Sequence, residues 1–261
     1  MYGAIIGDIV GSRFEFNNFK SKDFELFDSG CFYTDDTVMT IAVAAALVHH
    51  KKSGTKLDTA AQYWMQRLGK QYIGVGYGAR FFQWIQSDDP KPYNSWGNGS
   101  AMRVSSCGLY ATSLEEAVEN ARLVTKVTHN HPEGIKGAEV VSSLIYLAKE
   151  NKDKDYLREF ANTYYTIDFT LDKIRPSYTF HESCQKSIPQ AIECFLESEN
   201  FEDCIRNAIS IGGDSDTIAA IAGSIAESYY GIEEELKEKA RVYLDKNLIK
   251  ILNNIEKNLN I

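Results

Sequence analysis

The chain has 261 residues, 44% of them hydrophobic and 25% charged, an ordinary composition for a soluble globular protein. Its net charge of −8 excludes the basic footprint of a protein that grips a nucleic-acid backbone. An anionic small ligand is still compatible, provided cations lie between it and the protein.

The opening MYGAIIGDIVGS lacks a basic segment and carries Asp8 inside its apolar stretch, so it reads as a poor signal peptide. The longest purely apolar run, 41–48, falls far short of the ~18 residues that a membrane span needs. Five cysteines with no CxxC spacing read as packed free thiols in a reducing compartment. A cytoplasmic chain is expected. Gly3, Gly7 and Gly11 do not form GxGxxG; on a helix they share one face and let a second helix approach closely.

Helical periodicity follows almost throughout. It runs from Thr34 through Val38, Ile41, Ala42 and Ala45, and again across 56–70. Ser113 and Glu116 stand in capping-box register ahead of a helix reaching Val127, and Pro132 suits the first turn of the next. Further helices are expected near 156–165, 187–198, 201–210, 217–229, 233–243 and 246–258. Gly-rich turns cluster at 74–78, 94–99 and 211–213. With no strand pattern, linker or long-period repeat, the reading is all-α, one compact domain over residues 1–261.

Two segments carry the chemistry. Thr34-Asp35-Asp36-Thr37 and Asp214-Ser215-Asp216-Thr217 each precede a run rich in Ala, Ile and Val, the composition of buried helices. Asp and Thr are favoured N-caps, and first-turn acids suit the helix dipole. Each segment nevertheless holds one carboxylate more than a cap uses. Four aspartates brought inward together would repel strongly, so their pKa values rise or cations bind. Carboxylate and hydroxyl oxygens are hard ligands, suited to Mg²⁺, Mn²⁺ or Ca²⁺ rather than Zn²⁺, and four Asp with two Thr suffice for two ions. Neither an aspartyl-phosphate site, which follows a strand, nor an EF-hand loop fits. In the latter register Ala219 and Ile225 occupy the Gly and Glu positions.

In order, GAIIGDIVGSRFEF, TDDTVMTIA, SWGNGSAMRVS, THNHPEGIKGA and IGGDSDTIAAIAGSIAESYYG resemble the blocks of the ADP-ribosylglycohydrolase family over residues 3–231. The resemblance implies a compact orthogonal helical bundle around a central binuclear Mg²⁺ or Mn²⁺ centre that cleaves the glycosidic bond to ADP-ribose. By motif position it implies Thr34, Asp35, Asp36, Asp214, Asp216 and Thr217 as metal ligands. Glu15 matches the glutamate near the scissile end, with Asp35 as the second proton-handling group. The loop Asn94, Ser95, Trp96, Gly97, Asn98, Gly99 and Ser100 matches the one that wraps the diphosphate, and His129 the histidine beside the ligand. Gly97, Gly99 and a helix expected from about Ser100 make a reasonable anion cradle. His129 and His131 form HxH, but with no third ligand nearby they read as turn and cap residues. The segment 74–92 is expected to shape the acceptor side, where Asp88 and Asp89 could meet a cationic leaving group. A monomeric hydrolase acting on an ADP-ribosylated substrate is expected. The alternatives are an ADP-ribose sensor without activity and, more weakly, a structural protein with two well-capped helices.

Overall fold

The computed structural model describes residues 1–259, so the last two residues of the expected 1–261 domain lie outside the described residues. The fold is helical, with no strand among the described residues. In chain order the helices are α1 (Tyr2–Gly11), α2 (Asp35–Ser53), α3 (Leu57–Gln71), α4 (Ala79–Gln86), α5 (Ser105–Leu109), α6 (Leu114–Thr125) and α7 (Pro132–Lys149). After them come α8 (Lys154–Asn162), α9 (Leu171–Ile174), α10 (Cys184–Leu196), α11 (Phe201–Ser210), α12 (Ser215–Tyr230), α13 (Glu234–Tyr243) and α14 (Lys246–Leu259).

Three helices are apolar on every side and therefore lie inside the protein. Every residue of α1 is buried, as are Asp36 to Val48 of α2 and Ser215 to Ala226 of α12. Outer helices show one apolar stripe instead: α14 buries Leu248, Leu252, Ile255 and Leu259 only. The expected caps form. Ser113 accepts from Glu116 N, Pro132 opens α7, and Gly54 ends α2 at φ 72°.

The glycine stripe of α1 meets α12 in antiparallel register. A Cβ at Gly3 would lie 2.0 Å from Gly223 O, one at Gly7 2.2 Å from Ala219 O, and one at Gly11 2.5 Å from Asp216 Cα. The obstacles are backbone atoms and cannot turn aside. Gly7→Ala is therefore expected to cost about 1–3 kcal/mol or more by forcing the helices apart. A drop in the denaturant midpoint checks it; a midpoint equal to wild type would mean the helices can separate freely.

One expectation is corrected. The helix placed near Ser100 is a 3-10 turn over Asn98–Ser100, closed by the i→i−3 bonds from Ser100 N to Gly97 O and from Ala101 N to Asn98 O; α5 starts at Ser105. Within 74–92 lies α4, which buries Phe81, Trp84 and Ile85 against α3, where a Cβ at Gly69 would touch Ile85 at 2.6 Å. All five cysteines are free and buried. No helix among the described residues is long and apolar enough to cross a membrane.

Candidate active site

The N-termini of α2 and α12 meet beside the end of α1. Thr34 is itself the N-cap of α2, its hydroxyl accepting from Asp36 N at 3.3 Å, which leaves both aspartates free of that role. Asp214 occupies the N-cap position of α12 yet makes no side-chain cap hydrogen bond. Capping therefore does not account for these acids. Gly212 and Gly213, at φ 68° and 81°, swing the chain into α12, and a Cβ on either would strike Asn18 or Tyr178.

Carboxylate oxygens of Asp8, Asp36 and Asp216 lie within 4.8 Å of one another, and so do those of Glu15, Asp214 and Asp216. Asp216 belongs to both sets. Thr217 Oγ1 donates to Asp36 Oδ2 at 3.1 Å, while Asp36 Oδ1 is buried without a partner. Among the described residues none of these acids, nor Asp35, forms an ion pair. An all-oxygen, anion-only, partly orphaned donor set fits a hard divalent cation. Asp35 lines the adjoining cleft but stands outside both sets, and its backbone N–H donates to Val75 O at 2.8 Å.

Burial, reinforced by Asp216 and Asp8, pushes Glu15 up to about 8, and burial raises Asp214 to about 6. Asp35, Asp36 and Asp216 are held well above the carboxylate range by burial and mutual repulsion. Asp8 is raised by burial despite its hydrogen bonds from Thr34 and Thr37. Raised folded-state values mean that the metal-free fold binds more protons than the unfolded chain. This stability is full below the ordinary carboxylate value near 4 and is lost as pH rises through the folded values, to about 8 for Glu15. In chelator, the thermal midpoint is expected to fall from about pH 5 to 8, and added Mg²⁺ should raise it more at the higher pH, where fewer protons compete. A Mg²⁺ shift that is larger at pH 5 would contradict the assignment.

Above the acids opens a cleft of about 560 Å³, within the size range of small-molecule sites. Ser95 to Gly99 and His129 line it. Asn98 ties this loop to the carboxylates, its Nδ2 donating to Asp214 Oδ2 at 2.6 Å. Asn94 and Ser100 are not part of the wall: Asn94 N donates to Asn130 Oδ1, and Ser100 Oγ is buried against Gly97 O. Thr34 lies behind the cleft wall, within the carboxylate cluster, its hydroxyl donating to Asp8 Oδ1 at 2.7 Å. His131 Nδ1 accepts from Glu133 N and caps α7. Asp88 and Asp89 stay outside the cleft, Asp89 pairing with Lys91 on the surface.

Two residues escaped the sequence reading. Asp8 sits fully buried at the centre of the site, accepting from Thr34 N, Thr34 Oγ1 and Thr37 N. An acid within an otherwise apolar, glycine-striped helix was the available signal. Arg103, also buried, lines the cleft beside His129.

Clustered carboxylates flooring a ligand-sized cleft, walled by a glycine-bearing loop, make this helical protein a candidate metal-assisted enzyme. The model of the family described as ADP-ribosylglycohydrolase matches residues 1–258, and the chain belongs to that family. It is 26% identical to the ADP-ribosylhydrolase ARH3 of Homo sapiens, over 89% of this chain and 84% of that protein. It is 24% identical to the ADP-ribosylarginine hydrolase Tri1 of Pseudomonas putida (strain GB-1), over 89% and 70%. With the ADP-ribosyl-(dinitrogen reductase) glycohydrolase of Rhodospirillum rubrum it shares 24% over 77% and 70%. A solved structure titled ADP-ribosylglycohydrolase-related protein complex superposes with a TM-score of 0.67 at 21% identity, over 93% of this chain and 95% of that one, and so shares the fold. Family membership supports hydrolysis of ADP-ribose linkages as the activity.

Proposed function

We propose that this chain is a single-domain, divalent-cation-dependent hydrolase that releases ADP-ribose from a modified acceptor. The observation that carries this reading is the convergence of two carboxylate sets, sharing Asp216, on a cleft that the Ser95–Gly99 loop also lines. Asp35, Asp36, Asp214, Asp216, Thr217 and Thr34 would hold Mg²⁺ or Mn²⁺, two ions in all, with Asp8 bracing Thr34 and closing the set. Such ions polarise substrate oxygens and lower the pKa of water.

The chain's own groups do the rest. Glu15, half-buried beside Asp214 and Asp216, exchanges a proton with the scissile linkage, and Asp35 on the same cleft is the second proton carrier. Gly97 and Gly99 let the ligand's diphosphate approach the backbone, while Asn98 keeps that loop in register with the acids. Retention of Glu15 and of the whole acidic set favours hydrolysis over a sensor role. The proposed setting is the cytoplasm, and the proposed state a monomer.

Gly99→Val tests the cleft. The atoms nearest a Cβ there belong to the His129 and Met102 side chains, none nearer than 3.5 Å, so the variant should fold while adding bulk to the loop. ADP-ribose affinity is expected to fall about tenfold or more, as for a blocked contact of a few kcal/mol, with Mg²⁺ affinity nearly unchanged. Calorimetry decides it: near-normal ADP-ribose affinity would place the phosphates elsewhere.

A further inference from the structure

Arg103 is fully buried, has no ion pair among the described residues, and spans from the Phe81 ring to His129. One terminal nitrogen donates to Thr128 Oγ1 at 2.6 Å and lies 3.3 Å from His129 Nδ1; Thr128 Oγ1 is itself 2.8 Å from that Nδ1. A guanidinium only donates. Facing it, Nδ1 must present its lone pair, since a hydrogen there would confront an arginine N–H. With no hydrogen on Nδ1, the 2.8 Å contact is a hydrogen bond only if Thr128 Oγ1, which accepts from Arg103, gives its single hydrogen to Nδ1 rather than to Thr125 O at 3.3 Å. The imidazole hydrogen is thereby assigned to Nε2. That atom turns to the cleft loop, lying 3.6 and 3.5 Å from Cβ positions built on Gly97 and Gly99.

We propose that Arg103 is a positioning residue which, with Thr128, locks His129 as the neutral Nε2–H tautomer and so makes it a fixed hydrogen-bond donor to the bound ligand's oxygens rather than a proton carrier. This rests on the reading that ADP-ribose fills the cleft. The surroundings agree with it. Burial, then Arg103, holds His129 well below the usual histidine range, and Arg103 stays cationic with its own value at about 10. The other titratable ring against the imidazole is Tyr93, 5.8 Å away and raised to about 12 by burial, so it is neutral too. The arrangement supplies a donor whose state does not change across physiological pH.

Nitrogen-15 spectra of histidine-labelled, ligand-free wild type test the lock directly, with His129→Gln identifying the signal. The expected result is a pyrrole-type Nε2 and a pyridine-type Nδ1, both constant from about pH 5.5 to 8. A protonated Nδ1, or an ordinary titration, overturns the proposal without any variant. Arg103→Met, measured in the same Mg²⁺ buffer as wild type so that shared proton effects cancel, tests the consequence. Its ADP-ribose affinity should fall about tenfold near pH 8 and recover relative to wild type as pH drops through about 6.5, where the freed imidazole becomes a cationic donor. A loss of equal size at both pH values would make Arg103 a direct ligand contact only and overturn the positioning role. Failure of wild type to bind ADP-ribose would instead remove the functional reading, leaving the spectrum to decide the tautomer.

Discussion

Asp216→Ala is expected to abolish divalent-cation binding and turnover together while leaving the metal-free protein folded. Asp216 is the one acid common to both carboxylate sets, so its removal breaks each of them. The several kcal/mol of transition-state stabilisation that a bound ion supplies corresponds to a turnover loss of ~10³-fold or more. Stability should move the other way. Asp216 is raised by burial and by repulsion from Asp214 and Asp8, so deleting it relieves strain that no ion pair offsets. In chelator the thermal midpoint of the variant should equal or exceed that of wild type near pH 8, and Mg²⁺ should no longer raise it. A variant that unfolds in chelator would show Asp216 to be a structural residue. One that still binds Mg²⁺ with wild-type affinity would move the metal elsewhere.

Glu15→Gln is expected to separate binding from chemistry. The side chain keeps its size and one acceptor, and Glu15 is half-buried at the edge of the cluster, so ADP-ribose should bind with near wild-type affinity. Turnover should fall by about 10²–10⁴, the usual contribution of a positioned acid or base, because an amide cannot exchange the proton. Loss of kcat with little change in KM is the expected signature. Undiminished kcat would take Glu15 out of the mechanism, and proton handling would rest on Asp35.

The helices were legible where periodicity was long. The runs after Thr34, Ser113, Pro132 and Asp216 all lie within helices, and the glycine spacing of 3–7–11 foretold a close helix contact, whose partner is α12. Helix α4 was not legible: eight residues are two turns, and Gly76, Gly78 and Pro90 around it signal a loop. The Asn98–Ser100 turn misled for a related reason, since Gly-Ser before an apolar stretch reads as a helix start. The two Asp pairs could be found because each exceeds what a cap needs. That they meet at all depends on the antiparallel packing of α1 on α12, which periodicity does not encode. Asp8 was hidden by that same limit: its role exists only once Thr34 and Thr37 are folded against it. Arg103 shows the converse case. Nothing in its sequence setting singles it out, and only its burial beside Thr128 and His129 reveals a part in the cleft.

Release of ADP-ribose from arginine-, serine- and nucleobase-linked substrates, measured on chelated protein and again after Mg²⁺ or Mn²⁺ is restored, tests the central claim most directly. The account predicts turnover of at least one linkage that vanishes on chelation, returns with either cation, and is absent from Asp216→Ala under every condition. Turnover that persists undiminished in the chelator would contradict it.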